Sequence, residues 1–600
     1  MDRNSAIGLT LIAALLLIYF TYFGPKPETV KPIPVTTEDR DSASRENASA
    51  QLQNQSKADS ALLTQYGNLS SLLNGDEKTT LIETTDLAIT FSNHGAIIKE
   101  LELRNFKTYS KKPLLLISPA THASSIITQY EGKDVDLTKL YYTATQRKAG
   151  DTTILTFTSK ISNQASIQHT YKIPEAGFKI GYKLTATGLA LTGQNVSLLW
   201  NDKIPLQEKD IVDSRTKTTV NYYLASGEFD GLSETSTDLE TDALANPIKW
   251  VAVRQKFFIN SIIAKKYFVG GDVSTVANVA DSAIVKESSV KLFIPVADVA
   301  AGAEFIYYFG PNDYDIISDV TEGFSKNLSF GWPPMLWITK YMLIPVFQFL
   351  ERFIGNYGII IVLLVLFVKI LLLPLSYKSY LGMAKMKLLK PELDLIKEKN
   401  GDNMTQNQQD QMKLYQQAGV NPFSGCIPLL LQMPILFSMF WFFPMAIQLR
   451  QQPFLWAEDL STYDSIATLP FTIPFYGAHV SLFVILMTVS TLIYTWQNNQ
   501  ISSVQGPMKS MGYIMPIIFM FVLNNFSAGL SFYYFVSNLV TFAQQAIIKR
   551  FVDEDKIIAV MNDHKKKMEA SAAAGGKKSG FMSKLEQAMK ASEEARRKKK

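Results

Sequence analysis

Two hydrophobic rhythms divide the chain. From about Thr80 to Asn312 apolar and polar residues alternate in short runs, among them Ala88-Ile89-Thr90-Phe91, Ile97-Ile98-Lys99-Glu100-Leu101 and Lys179-Ile180-Gly181-Tyr182-Lys183-Leu184, with turn residues between them. Period-two alternation puts one face of each strand into a core, so many such runs predict a large antiparallel β-sandwich, placed at residues 81–325. Beyond it the apolar runs lengthen to the scale of a bilayer. Spans are expected at residues 353–375, 427–446, 479–496, 511–526 and 529–548, and an earlier apolar run covers residues 6–23. Together these predict a six-helix transmembrane α-bundle. Residues 1–25 are its N-terminal anchor, left uncleaved because Tyr22, Phe23 and Pro25 crowd the position where a small-x-small cleavage site would sit.

The stretches between these blocks read differently. Residues 26–80 are rich in Ser, Thr, Asn, Gln and Asp and predict a flexible linker. Within residues 330–352, Lys340 and Pro345 interrupt an apolar run flanked by Trp332 and Trp337, the pattern of an amphipathic helix lying in the membrane interface. Residues 353–550 form the membrane core, including a helical hairpin at 376–424 that breaks at Asn400-Gly401-Asp402 and ends at Ala418-Gly419. Residues 551–600 read as a mobile basic tail.

Charge then sets the orientation. The formal net charge is only +5, but it is unevenly placed. Residues 376–424 carry seven Lys against five Asp or Glu, whereas residues 447–478 carry Arg450 against Glu458, Asp459 and Asp464. By the positive-inside tendency the hairpin and both chain ends are cytosolic and the sandwich lies outside. From Lys549 onward fifteen Lys or Arg stand against eight Asp or Glu, a balance that favours ribosomal RNA or anionic lipid. The lone Cys426 excludes an intrachain disulfide, a C-x-x-C redox pair and a multi-cysteine metal site. The signatures G-x-x-x-x-G-K-[ST], H-E-x-x-H and G-x-S-x-G are missing, and Gly575-Gly576-Lys577-Lys578-Ser579 lacks the first of these spacings. The expectation is a protein that is not an enzyme, with no catalytic residue, metal, cofactor or nucleotide.

Lys369 is the sharpest chemical signal. It sits alone among apolar residues from Ile359 to Leu375, where an ammonium costs at least ~2.5–3.5 kcal/mol at the bilayer centre. None of the other expected spans contains Asp or Glu, so the counter-charge is expected from outside the chain. Tyr534, Ser537, Asn538, Thr541 and Gln545 recur on one stripe of the last span at helical spacing. Ser481, Thr488, Thr491 and Thr495 make a weaker stripe, and Gln432 adds an amide between Pro428 and Pro434. With Lys369 these groups line a wet cavity, or they hold the helices together by hydrogen bonds; Lys369 itself could instead snorkel to the interface near Ser376. The run at 511–526 is short, which would thin the local bilayer.

The stretches Gly355-Asn356-Tyr357-Gly358, Lys369 to Pro374, Met383-Ala384-Lys385-Met386 through Pro391, Asn421-Pro422 with Gly425-Cys426, Pro428, Gln432-Met433-Pro434 and Gly529 to Asn538 resemble, in order, the YidC-type membrane-protein insertases in their long form. Asn93 to Phe106 and Trp250 to Ile263 resemble that family's periplasmic strands. The resemblance implies a five-helix insertase core plus anchor in the bacterial inner membrane, and a periplasmic β-supersandwich similar to sugar mutarotases. It implies an insertase and chaperone that inserts and helps assemble inner-membrane proteins, alone or with the Sec translocon. The implied partners are nascent membrane proteins, membrane lipids and, through the basic tail, the ribosome. The implied substrate groove holds Lys369, Gln432, Tyr534, Ser537, Asn538 and Thr541. Lys369 stands where the family usually has arginine, so the charge is kept but the bidentate fork is lost. The hairpin, with Lys385, Lys387 and Lys390, corresponds to the loop that recruits substrates. Two other readings compete: a small-solute or ion transporter, which would normally show paired ionisable groups or inverted repeats, and an enzyme working through the sandwich, which fold analogy alone cannot establish.

Overall fold

The computed structural model describes residues 64–401, 403–421, 427–501 and 507–573. The expected anchor at 1–25, most of the linker, Cys426 and the tail from residue 574 lie outside them. The chain divides into two compact units. One comprises the chain up to Ser329 together with Met445–Gln451, and the other Phe330–Pro444 with everything from Gln452 onward.

The first unit is an antiparallel β-sandwich. A nine-stranded sheet runs from Phe229–Gly231 at one edge, through Ile248–Arg254, Phe258–Phe268 and Ala303–Pro311, to Thr143–Ala149 at the other. A six-stranded sheet is centred on Ile284–Pro295 and Asn195–Pro205, and a four-stranded sheet on Leu87–Ser92 and Ile97–Lys107. Both smaller sheets pack against the large one. Phe106 meets Phe258 edge-on at 5.3 Å, and the Trp200 ring lies 5.7 Å from Phe309. Strands with one inner face keep the alternation read from sequence, as in Lys179–Thr187. Phe258–Phe268 is buried continuously through Ala264 because the large sheet is covered on both faces there.

Two segments join this unit against expectation. The end of the expected linker is not a linker: Gly67–Leu72 forms a 3-10 helix, Tyr66 and Leu69 are buried in the sandwich core, and the Tyr66 hydroxyl bonds the Asp136 backbone. Two apolar anchors among many polar residues suffice to dock a short segment, and composition averaged over residues 26–80 hides them. Arg450 is likewise more than a charge in an outer loop. Its Nε donates to Glu208 at 2.9 Å, a terminal nitrogen donates to the Lys107 carbonyl at 2.6 Å, and its guanidinium lies 5.1 Å from the Phe258 ring centroid. Ile447 enters the same hydrophobic core.

The helical unit begins with a continuous helical run, Pro333–Ile338, a π-turn at Thr339–Leu343 and Ile344–Glu351. The widened turn precedes Pro345, whose missing N–H and bulky ring disfavour regular α geometry there. There follow α1 (Tyr357–Leu371), α2 (Leu373–Leu388), α3 (Lys390–Asn400), α4 (Met404–Gln417), α5 (Ile427–Met445), α6 (Leu482–Ile501), α7 (Pro507–Leu523), α8 (Ala528–Phe551) and α9 (Glu554–Ala573). Among the described residues no single helix is long and apolar enough to cross a membrane by length and composition. The pair α1 and α2, bent by 62°, passes that test together. The span expected at 353–375 is therefore corrected to a helix that breaks at Leu372, where Pro374 opens α2. The hairpin's first arm accordingly starts at Leu373 and breaks again before Pro391. Part of the expected mobile tail is ordered as α9, since Ile557 and Met561, one turn apart, pack on Met386, Leu389, Leu393 and Leu414 of the hairpin. A two-stranded hairpin, Ala467–Ile473 with Gly477–Val480, stands in the loop before α6 where no strand was expected.

His169 is fully buried in the sandwich beside Tyr182, whose hydroxyl lies 2.9 Å from Nδ1. Desolvation lowers its imidazole from the usual 6.5 to about 3. The native ring stays neutral while the unfolded chain takes up a proton, so sandwich stability falls as pH drops from 6.5 towards 3, by about 1.4 kcal/mol per pH unit for one proton. His169→Phe is expected to flatten this slope in thermal melts of the full-length protein; an unchanged slope would mean that His169 is not the group responsible.

Candidate functional site

The sharpest site lies in the helical unit, where three helices meet around Lys369. Asn356 caps the start of α1 by accepting from the Ile359 N–H at 3.1 Å, and Lys369 falls in the last turn of the same helix. Its side chain is largely enclosed, at 7% exposure. Nζ donates to Thr541 Oγ1 on α8 at 2.9 Å and to Gln432 Oε1 on α5 at 3.3 Å. The Thr541 hydroxyl donates in turn to the Ser537 carbonyl at 2.7 Å, which leaves its lone pairs for the ammonium. Gln544 Nε2 reaches the Lys369 carbonyl at 3.4 Å, near the helix end where backbone acceptors lose their intrahelical partners.

Both hydrogen-bond partners of the ammonium are neutral, and among the described residues no carboxylate pairs with it. The ammonium borders a cavity of about 120 Å³. Every residue expected in the groove, Lys369, Gln432, Tyr534, Ser537, Asn538 and Thr541, lines this cavity, and so does Gln545. Geometry divides the polar stripe by task. Thr541 meets the cation, whereas Asn538 clamps α8 to α6 by donating to Ser490 Oγ at 2.9 Å and Thr491 Oγ1 at 3.0 Å. Both of those hydroxyls donate to the Met487 carbonyl, so their lone pairs are turned to the amide. Cavity lining and helix contact are thus both present on one face.

Of the weaker stripe only Thr491 reaches the cavity. Thr488 bonds back to the Val484 carbonyl, and Ser481 is held by Asp464 at the far end of α6. Sequence reading missed Ser376, Ser379 and Tyr380, which the bend at Leu372 brings to the lining, and Tyr494 and Gln544. The signal that could have found the first three was Pro374 after a lysine-bearing apolar run. Lys385, Lys387 and Lys390 do not line the cavity. They lie on α2 and α3, where Lys387 stands 3.8 Å from Glu554 of α9. Lys565 of α9 pairs with Glu392 at 2.7 Å, so the tail helix is tied to the hairpin by charge as well as by apolar contact. Among the described residues no group of His, Cys, Asp or Glu side chains could hold a metal ion.

Among the described residues the molecule thus combines a large β-sandwich with a helical unit that encloses Lys369, and family profiles identify the class to which this combination belongs. Residues 349–555 match the 60Kd inner membrane protein family, and residues 79–344 match the YidC periplasmic domain. The chain is 43% identical to the membrane protein insertase YidC of Amoebophilus asiaticus over 99% of both chains. It is 44% identical to that of Cytophaga hutchinsonii over 99% of this chain and 98% of the relative. The chain belongs to the YidC membrane protein insertase family. A solved active YidC insertase aligns over 82% of this chain and 98% of its own, at 17% identity and a TM-score of 0.33, too low a likeness to carry an inference.

The clamp gives a direct test. Asn538→Leu removes two interhelical hydrogen bonds and is expected to destabilise the helical unit by about 1–2 kcal/mol, read from denaturation in detergent. No measurable change would mean that these bonds do not hold α6 to α8.

Proposed function

We propose that the chain is a membrane protein insertase working through a groove open to cytosol and lipid and closed towards the periplasm. The observation that carries this reading is the Lys369 ammonium, which among the described residues is held by neutral oxygens alone at the edge of a polar cavity. Such a charge attracts the acidic, hydrated tail of a nascent protein, and the hydroxyls and amides of α8 replace part of the water that the tail gives up. The apolar segment that follows slides into lipid along the helices. Its removal from water supplies the driving force, so no nucleotide is required. The membrane potential adds to it by drawing an acidic tail outward.

In the same reading the helical unit spans the inner membrane with both termini cytosolic and the sandwich periplasmic, residues 1–25 being a further anchor. The α2–α4 hairpin, with Lys385, Lys387 and Lys390, receives clients, and the basic tail contacts ribosomal RNA. The Sec translocon and membrane lipids are the remaining partners. No catalytic residue is assigned, and the names of the relatives denote no enzyme class.

Insertion of a single-span client into proteoliposomes tests the charge. With an acidic client tail, Lys369→Arg is expected to keep activity and Lys369→Ala to lose most of it, while a neutral tail narrows the difference. Equal activity of all three forms on the acidic client would reject charge attraction.

A further inference from the structure

The hairpin before α6 is unlike a hairpin built for water. From Ser465 to Ala478 the chain has no charged residue. Ala467 pairs with Val480, Thr468 with His479 and Ile473 with Gly477, so both strands belong to an isolated two-stranded ribbon. Phe471 on it is 61% exposed, and the adjoining Ile466 is also exposed. Strand edges left in water normally carry lysine or another charge to prevent pairing with other chains, and this ribbon carries no Lys, Arg, Asp or Glu.

The ribbon is fixed to the ends of two apolar helices. Asp464 accepts from the N–H groups of Leu482 and Phe483 at 2.9 and 3.1 Å, from the Ser481 hydroxyl, and from Trp456 Nε1 at 2.9 Å. The fully buried Asn524, just past α7, donates to the carbonyls of Tyr476 and His479, both at 2.8 Å. Gly477 takes a left-handed φ of +100°, and a Cβ there would come within 2.8 Å of Asn525 Oδ1. The apolar tip therefore has a set position relative to α6 and α7.

We infer that the Ala467–Val480 hairpin is a lipid-binding element that lies in the headgroup layer at the end of the bundle where α6 begins. Strand Gly477–Val480 passes through Ser481 straight into α6, whose side chains Val489, Ile493 and Trp496 are apolar and exposed. In an inner-membrane protein that exposed surface is the lipid-facing one, and the hairpin continues it. Unpaired backbone groups along the ribbon edges exclude the hydrocarbon core, where nothing would satisfy them. The headgroup layer offers water to the backbone and an apolar boundary to Phe471 and its neighbours.

The test uses the full-length chain with Cys426→Ser, carrying Phe471→Cys or Thr468→Cys and an environment-sensitive fluorophore. The second variant leaves Phe471 in place. Each is reconstituted into vesicles of phosphatidylethanolamine and phosphatidylglycerol, with and without bromine on the acyl chains. Both labels are expected to be blue-shifted, quenched by the brominated lipid and several-fold less quenched by aqueous iodide than a label on Lys203→Cys, an exposed position of the sandwich. Iodide quenching equal to the Lys203 label without bromine quenching would overturn the inference. Shielding from both quenchers would overturn it too, by showing that protein covers the tip. The readout is lipid contact alone, so it is independent of whether the groove reading holds.

Discussion

An ammonium enclosed among apolar helices has to be met by oxygen, and the local architecture around Lys369 follows from how that is done. One hydroxyl and one side-chain amide, from helices remote in sequence, converge on Nζ. Neither carries charge, so the cation keeps most of its field. A carboxylate partner would have been electrostatically stronger and would have cancelled that field; the neutral pair holds the side chain without neutralising it. The Thr541 hydroxyl presents its lone pairs to the ammonium while its proton is committed to the Ser537 carbonyl. A hydrophobic replacement of Thr541 would thus leave the ammonium short of an acceptor while leaving α8 able to form.

The helix break at Leu372 belongs to the same arrangement. It ends α1 two residues after Lys369, frees backbone acceptors there, and turns α2 by 62° so that Ser376, Ser379 and Tyr380 border the cavity. Beyond α2, the hairpin and α9 share a small hydrophobic core reinforced by the Lys565–Glu392 ion pair. Loss of the α9 contacts would therefore expose Met386, Leu389 and Leu393 of the hairpin.

Much of this was legible in the sequence, for physical reasons that differ by region. Lys369 stood out because a charge among apolar residues is costly wherever it ends up, and the α8 stripe stood out because 100° per residue is a property of any helix. The sandwich was legible because strands with one inner face, such as Lys179–Thr187 and Asn195–Pro205, alternate. What could not be read was long-range. Gln432 was visible as a polar residue, but not that it would share Nζ with Thr541. Arg450 looked like one charge in an acidic loop, yet it docks on Glu208, far away in sequence. Tyr66 and Leu69 were lost in a polar average, and Ile557 with Met561 in a basic one. The Ala467–Val480 ribbon was missed because residues 447–478 were read as a loop for their charge alone, and a single short alternating run gives no sign of the strand it pairs with.

The central claim is that an uncancelled positive charge at a hydrated cavity receives acidic chain from a passing client, and contact between the two is the most direct thing to measure. A photocrosslinking residue at position 534, which lines the cavity, would be irradiated during synthesis of a single-span client with an acidic tail, and the adduct mapped. Crosslinks concentrated in the acidic tail, and lost when its carboxylates are replaced by amides, are the predicted result. Crosslinks of equal yield to acidic and neutral tails, or none to the tail, would contradict the account.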